Sequence, residues 1–304
     1  MSDAGEEDKT DSIVDIAKKR YQRAYDYYKE SRLKGIEDTR FVMGDSDNLW
    51  QWPEETYNQR ASVEKRPCLT INVTAQHCGQ IINQIRQNRP TGKVIPGDAK
   101  STKQAAEVLA SLVRNIQAES QADTAHDLAA EHAIYGGEGY WRVVTEYEHE
   151  DSFDQIIKIK QIRDVGSVYI DPGCKDADRS DAKWGFVFED ITTTQAKEEH
   201  GDLTPTDWAP DGDAGWVQKD TIRRAEYFWC EDKDDTIYQL SDGSVIAKSK
   251  LPPGTSVKGK YLIGADIGSI EILKDRPTKR KQWYWCKLVG GATEPVDKKP
   301  WPGS

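Results

Sequence analysis

Two prolines frame the segment that most constrains this chain. Arg66-Pro67-Cys68-Leu69-Thr70-Ile71-Asn72 opens it and Arg86-Gln87-Asn88-Arg89-Pro90 closes it. Pro67 favours an extended entry, and Pro90 forbids a helix from continuing. Between them Ala75, Cys78, Ile81, Ile82 and Ile85 recur at helical spacing. Thr70 or Asn72 stands where a cap is needed. The expectation is a helix over residues 70–87 with one apolar stripe and no reactive group.

The flanking pattern is helical before residue 135 and alternating after it. Ile13, Ile16, Ala17, Tyr21, Ala24, Tyr25 and Tyr28 predict a helix over residues 11–33, capped by Asp11 or Ser12 and ended at Gly35. Residues 38–67 read as a long connection that packs through Trp50 and Trp52. Residues 93–97 read as a short strand or extended turn. Ala105, Val108, Leu109, Leu112, Val113 and Ile116 predict a helix over 101–118, and Leu128, Ala129 and Ala133 another over 123–133. Gly136-Gly137-Glu138-Gly139 then breaks the pattern.

From there the period is two. Strands are expected over 140–147 and 155–162, paired as a hairpin around a turn at 150–154, and over 167–170 and 184–188. A short helix over 192–200 starts on a threonine cap and stops at Gly201. Residues 202–220 form a loop rich in Gly, Pro and Asp that holds Trp208 and Trp216. A strand over 221–230, a hairpin turning at Ser241-Asp242-Gly243 and an aromatic strand over 282–288 complete the reading. Residues 250–268 suggest no clear element. The fold class is α+β, a helical layer followed by a mainly antiparallel sheet. The expected organisation is a disordered acidic tail (1–10), a helical part (11–135), a β-rich part (136–290) and a Pro-rich end (291–304).

Composition narrows function. Among 304 residues 37% are hydrophobic and 31% charged, with a net charge of −10. That balance argues against general, tight DNA binding, which needs a basic face. It suits a wall along which DNA must not stick. Ten Trp and thirteen Tyr stand against five Phe, a mix suited to half-buried surfaces and subunit contacts. The five cysteines lack Cys-x-x-Cys spacing, so neither a disulfide framework nor a zinc site is expected. No apolar run has the length of a membrane span.

The chemical motifs fail their own tests. A phosphate loop needs Gly-Lys-Ser/Thr between strand and helix, whereas residues 136–139 follow a helix, precede a strand and lack the lysine. A helix cap and turn is the better reading. Asp171, Asp176, Asp178 and Asp181 lack the calcium-loop spacing and its closing Glu, which leaves a solvated turn. The five histidines (His77, His126, His132, His149, His200) form no two-ligand helical pair. No serine nucleophile motif occurs. Catalytic, metal and cofactor sites are therefore expected to be none.

Contact surfaces remain. Arg86, Arg89 and Lys93 flank the Pro90 break, and Lys279, Arg280 and Lys281 precede Trp283-Tyr284-Trp285. Basic groups beside aromatics can hold phosphates and stack bases, or dock an acidic partner. Trp50, Trp52, Trp208 and Trp216, all in expected loops, are candidates for contacts with other subunits or chains.

Taken in order, several segments resemble the portal proteins of short-tailed phages. They are Tyr21-Tyr25-Tyr28, Arg66-Pro67 with Thr70 and Asn72, Asn88-Arg89-Pro90 and the Ala-rich helix. Gly137-x-Gly139 with Arg142-Val143, Asp171-Pro172 and Asp181-Ala182 follow, then Arg224-Ala225-Glu226-Tyr227-Phe228 ahead of Trp283-Tyr284-Trp285. The resemblance covers residues 11–285.

It implies a structural virion protein, a head-to-tail connector through which DNA is packaged and ejected. The implied assembly is a ring of twelve copies at a capsid vertex, built in the host cytoplasm, with no membrane. Implied partners are terminase, capsid and scaffolding proteins, tail adaptor proteins and the double-stranded DNA in the channel. ATP hydrolysis would belong to terminase. Members of the family are longer, so the resemblance implies a truncated portal fold: an N-terminal portion, mostly wing, reaching the start of the stem and clip. Two other readings stay open. One is a metal-dependent nuclease built on the four aspartates, and the other is a monomeric assembly adaptor or scaffold.

Overall fold

Ser12 starts the first helix. Its hydroxyl accepts from the Asp15 amide at 3.2 Å and donates to the Asp15 carboxylate at 2.7 Å, which satisfies one of the orphan donors of a helix start. In the computed structural model, which describes residues 12–45, 52–69, 71–89, 92–97, 102–201, 220–252, 254–264, 268–290 and 297–301, this helix is α1 (Ile13–Met43). It runs through Gly35, where the sequence suggested an end. The reason is packing: a β-carbon on Gly35 would stand 2.7 Å from the carbonyl oxygen of Gly136. The glycine permits a close approach and the helix continues. The left-handed residue that ends it is Gly44, at φ +69°.

The chain divides into two compact units, one of Ala24–Val168 and one of Met1–Arg23 with Tyr169–Ser304. The first is mainly helical. After α1 come α2 (Glu54–Asn58), which continues as a π-helical turn over Gln59–Val63, then α3 (Thr74–Gln87), α4 (Lys103–Glu119) and α5 (Ala122–Gly136). Residues 54–63 are thus helical where a connection was expected. Pro53 supplies the extended entry, and Glu54 and Glu55 suit the positive end of a helix.

Of the two expected caps for α3, Thr70 lies outside the described residues. Asn72 caps in practice: its Oδ1 accepts from Ala75 N at 3.1 Å, and its Nδ2 donates to Val42 O at 2.7 Å. One side chain therefore both starts α3 and ties it to α1. Residues 92–97 belong to neither helix nor strand. Both α3 and α4 pack on α5.

The glycine cluster closes α5. Gly137 holds φ +88°, and a β-carbon on Gly139 would overlap the Ala129 carbonyl oxygen. The chain then enters β1 (Trp141–Tyr147) and β2 (Gln155–Gln161), antiparallel from Trp141 opposite Gln161 to Tyr147 opposite Gln155. Arg32 of α1 donates to the carbonyls of Gly166 (2.8 Å) and Val168, with its guanidinium over Tyr28 at 5.3 Å.

The second unit is an eight-stranded sheet. Its strands are β3 (Val168–Ile170), β4 (Trp184–Thr192), β5 (Thr221–Leu240), β6 (Val245–Ala247), β7 (Ser256–Lys258), β8 (Tyr261–Gly264), β9 (Gly268–Val289) and β10 (Asp297–Pro300). The order is β3-β4-β5-β9-β8-β7, with β6 on β5 and β10 on β9. Pairings β4–β5, β5–β6, β5–β9, β7–β8, β8–β9 and β9–β10 are antiparallel. The α6 helix (Thr193–His200) follows β4, with Thr192 Oγ1 accepting from Gln195 N at 3.2 Å. The α+β class holds.

An aromatic ladder forms this unit's core. Phe186 stacks on Tyr227 at 4.6 Å between centroids, Tyr227 on Trp229 at 5.0 Å and Trp229 on Tyr284 at 5.5 Å. Tyr21, from the start of α1, meets Tyr169 and Phe188 edge-on at 5.5 and 5.3 Å. Geometries of this kind add to plain burial. The Tyr and Trp enrichment is thus partly spent inside the protein. Among the described residues no helix is long and apolar enough to cross a membrane.

Candidate functional site

The basic group at the Pro90 break is already engaged. Arg89 Nη2 donates to both carboxylate oxygens of Asp127 at 2.9 and 3.1 Å, and its Nη1 pairs with Asp123; Arg86 reaches Asp127 at 3.3 Å and Glu131 at 3.8 Å. These arginines join the end of α3 to α5. One guanidinium held between two carboxylates of the same helix makes charge-assisted contacts that fix position as well as charge. Lys93 stands exposed nearby in sequence.

The second basic run is equally organised. Strands β5 and β9 extend far beyond the expected 221–230 and 282–288, and their extensions form a charged ribbon. Asp232 faces Lys281, Lys233 faces Arg280 and Asp234 faces Lys279. Arg280 also reaches Asp235 at 3.5 Å, and the Lys233 ammonium lies over Tyr284 at 5.1 Å. Two of these three pairs are of opposite charge, which favours pairing, and at the like-charged pair Arg280 turns to Asp235 while Lys233 turns to Tyr284.

The four aspartates serve their own loop. Asp171 accepts from Gly173 N at 2.9 Å, Asp181 from Lys175 N at 2.7 Å and Asp178 from Ser180 N at 3.2 Å. Those amide bonds hold the carboxyls of Asp178 and Asp181 below their usual range. No group of three or more metal-capable side chains occurs among the described residues. Burial pushes the Cys174 and Cys230 thiols up, which disfavours the nucleophilic thiolate. Burial likewise pushes His200 down, despite Glu199 at 3.7 Å.

Trp50, Trp208 and Trp216 lie outside the described residues. Trp52 is half-buried, with the Arg60 guanidinium over its ring at 5.0 Å.

Sequence reasoning missed the surfaces that are left open. On α3 the expected stripe is split: Ile82 is buried while Ile81 and Ile85 are exposed. On α4 Ala106 is buried, whereas Val108, Leu109, Leu112 and Val113 face outward. Leu69 and Ile71, in the extended entry, are 73% and 85% exposed. Periodicity finds such a stripe but does not say whether its partner lies in the same chain. Contiguous exposed apolar surface of this kind marks interaction sites. At the β1–β2 turn Phe153 is 97% exposed; a Phe amid Glu and Asp in an expected turn was the available signal.

One cleft, of about 370 Å³, opens beside the start of α1. Ile13, Ile16 and Trp229 supply apolar wall, and Arg20, Lys183 and Lys281 supply cations. Glu231 and Asp232 lie on the same lining. The Arg20 guanidinium donates to the Tyr227 hydroxyl at 2.7 Å.

Among the described residues the exposed features are contact surfaces, with no catalytic group assembled beside them. The family model for the Phage P22-like portal protein matches residues 18–304. The chain belongs to the P22-like portal family. A relative, the portal protein of Acyrthosiphon pisum secondary endosymbiont phage 1, is 29% identical over an alignment of 304 residues. The match covers 93% of this chain and 40% of that relative, so the chain spans about two fifths of the relative's length. The family is one of bacteriophage structural proteins.

Proposed function

We propose that this chain is a portion of a portal subunit that associates with copies of itself into a ring at a capsid vertex. DNA is packaged and ejected through that ring, and terminase, capsid, scaffolding and tail adaptor proteins dock on it. The family match over residues 18–304 carries this reading. The outward apolar side chains of α3 and α4, with Leu69 and Ile71, support it, because a subunit of a ring must present surfaces that are incomplete alone. The net charge of −10 suits passage of a polyanion without adhesion. Twelve copies, a wing-like placement and a truncated portal fold belong to the same proposal. DNA or partner contact by Arg86, Arg89, Lys93, Lys279, Arg280 and Lys281, and subunit or capsid contact by Trp50, Trp52, Trp208 and Trp216, are its candidate details.

Native mass spectrometry tests the reading. A discrete high-order oligomer is expected. A persistent monomer at high protein concentration would favour an adaptor. Magnesium-dependent cleavage of DNA by the purified chain, lost in Asp181→Asn, would favour a nuclease.

A further inference from the structure

We propose that the tip of the β1–β2 hairpin docks, through Phe153, into the cleft beside the start of α1 on a second copy of this chain. The inference rests on the ring reading and assigns one of its contacts.

The knob is preshaped. Glu148 N donates to Asp154 O at 2.9 Å, Ser152 N to His149 O at 3.1 Å and Asp154 N to Ser152 Oγ at 3.0 Å. These bonds hold the turn while Phe153 is 97% exposed. A side chain that can bury 150–250 Å² thus touches almost nothing in its own chain. A turn already ordered loses little entropy when it docks. Glu148, Glu150, Asp151 and Asp154 flank Phe153 in sequence and make the hairpin tip acidic.

The socket complements it in size and sign. Its volume of about 370 Å³ suits one aromatic side chain and its neighbours. Ile13, Ile16 and Trp229 offer the apolar surface. Asp232 and Lys281 face one another across the ribbon, and Arg20 and Lys183 against Glu231 leave the lining with a net charge of +1. The four carboxylates of the tip therefore meet a cationic rim. Knob and socket are different surfaces, so the contact is heterologous, the kind that closes a ring. Opposed charges at the rim set its orientation and encounter rate.

Charge exchange gives the test. Phe153→Ala should weaken self-association of the full chain at least tenfold in sedimentation velocity. Asp151→Lys/Asp154→Lys and Lys183→Glu/Lys281→Glu should each fail to associate alone, yet assemble when mixed, because each tip then meets an opposite rim. Wild-type assembly by Phe153→Ala, or no gain on mixing, would overturn the contact and leave the ring reading standing. A wild-type chain that never associates would overturn both.

Discussion

The carbonyl oxygen of Gly136, at the end of α5, lies 2.7 Å from where a β-carbon on Gly35 would stand in the middle of α1. Two helices meet there backbone to backbone. Gly35→Ala gains helix propensity of about 1 kcal/mol, yet the backbone clash should reverse the sign and destabilise the protein by about 1–3 kcal/mol. Gly79, inside α3, has open space where its β-carbon would go. Gly79→Ala should stabilise by about 0.4–1 kcal/mol. Urea unfolding of the two variants checks the opposite signs.

Arg89 is expected to act on stability. Loss of its contacts with Asp127 and Asp123 in Arg89→Ala should cost about 1–2 kcal/mol. Arg89→Lys should recover only part, since a single ammonium cannot serve the two carboxylates from two separate nitrogens. Lys93→Ala should stay within about 0.5 kcal/mol of wild type. Thermal melts of the three variants would separate these cases.

The aromatic ladder sets the strength of the sheet-bearing unit. Phe186 is 1% exposed and stacks on Tyr227. Phe186→Ala should therefore cost about 3–5 kcal/mol. Phe153→Ala removes a ring of the same size from the surface and should change stability by less than about 0.5 kcal/mol. Equal losses in chemical denaturation would contradict the placement of both.

Asp235 predicts a pH dependence. The Ser249 hydroxyl, with the amides of Thr236 and Ser249, holds its carboxyl below the ordinary carboxylate value. A folded-state value below the unfolded one contributes stability that is complete above about pH 4 and is lost as pH falls through the folded value. The gap in stability between wild type and Asp235→Asn should stay constant from neutral pH to about pH 5 and close below about pH 4. Denaturation midpoints measured across that range check it.

Local signals were the legible part of this fold. Asn72 caps α3, Gly137 ends α5 in a left-handed conformation, and the alternation near residues 140–162 became β1 and β2. Each depends on residues close in sequence. What escaped depends on partners far away. Gly35 reads as a stop until Gly136 is placed against it. The basic run at 279–281 reads as a contact surface until residues 231–235 are set beside it. Ile81, Val108 and Leu112 read as core because periodicity records only that a face is apolar. The same gap hid the socket, whose Arg20, Lys183 and Lys281 come from three distant segments.

Direct imaging of the purified assembly by electron microscopy tests the central claim, that this protein works by self-association around a moving polymer. The account predicts closed rings with a central channel wide enough for duplex DNA. Single globular particles, or open filaments with no closure, at concentrations where the chain is fully folded would contradict it.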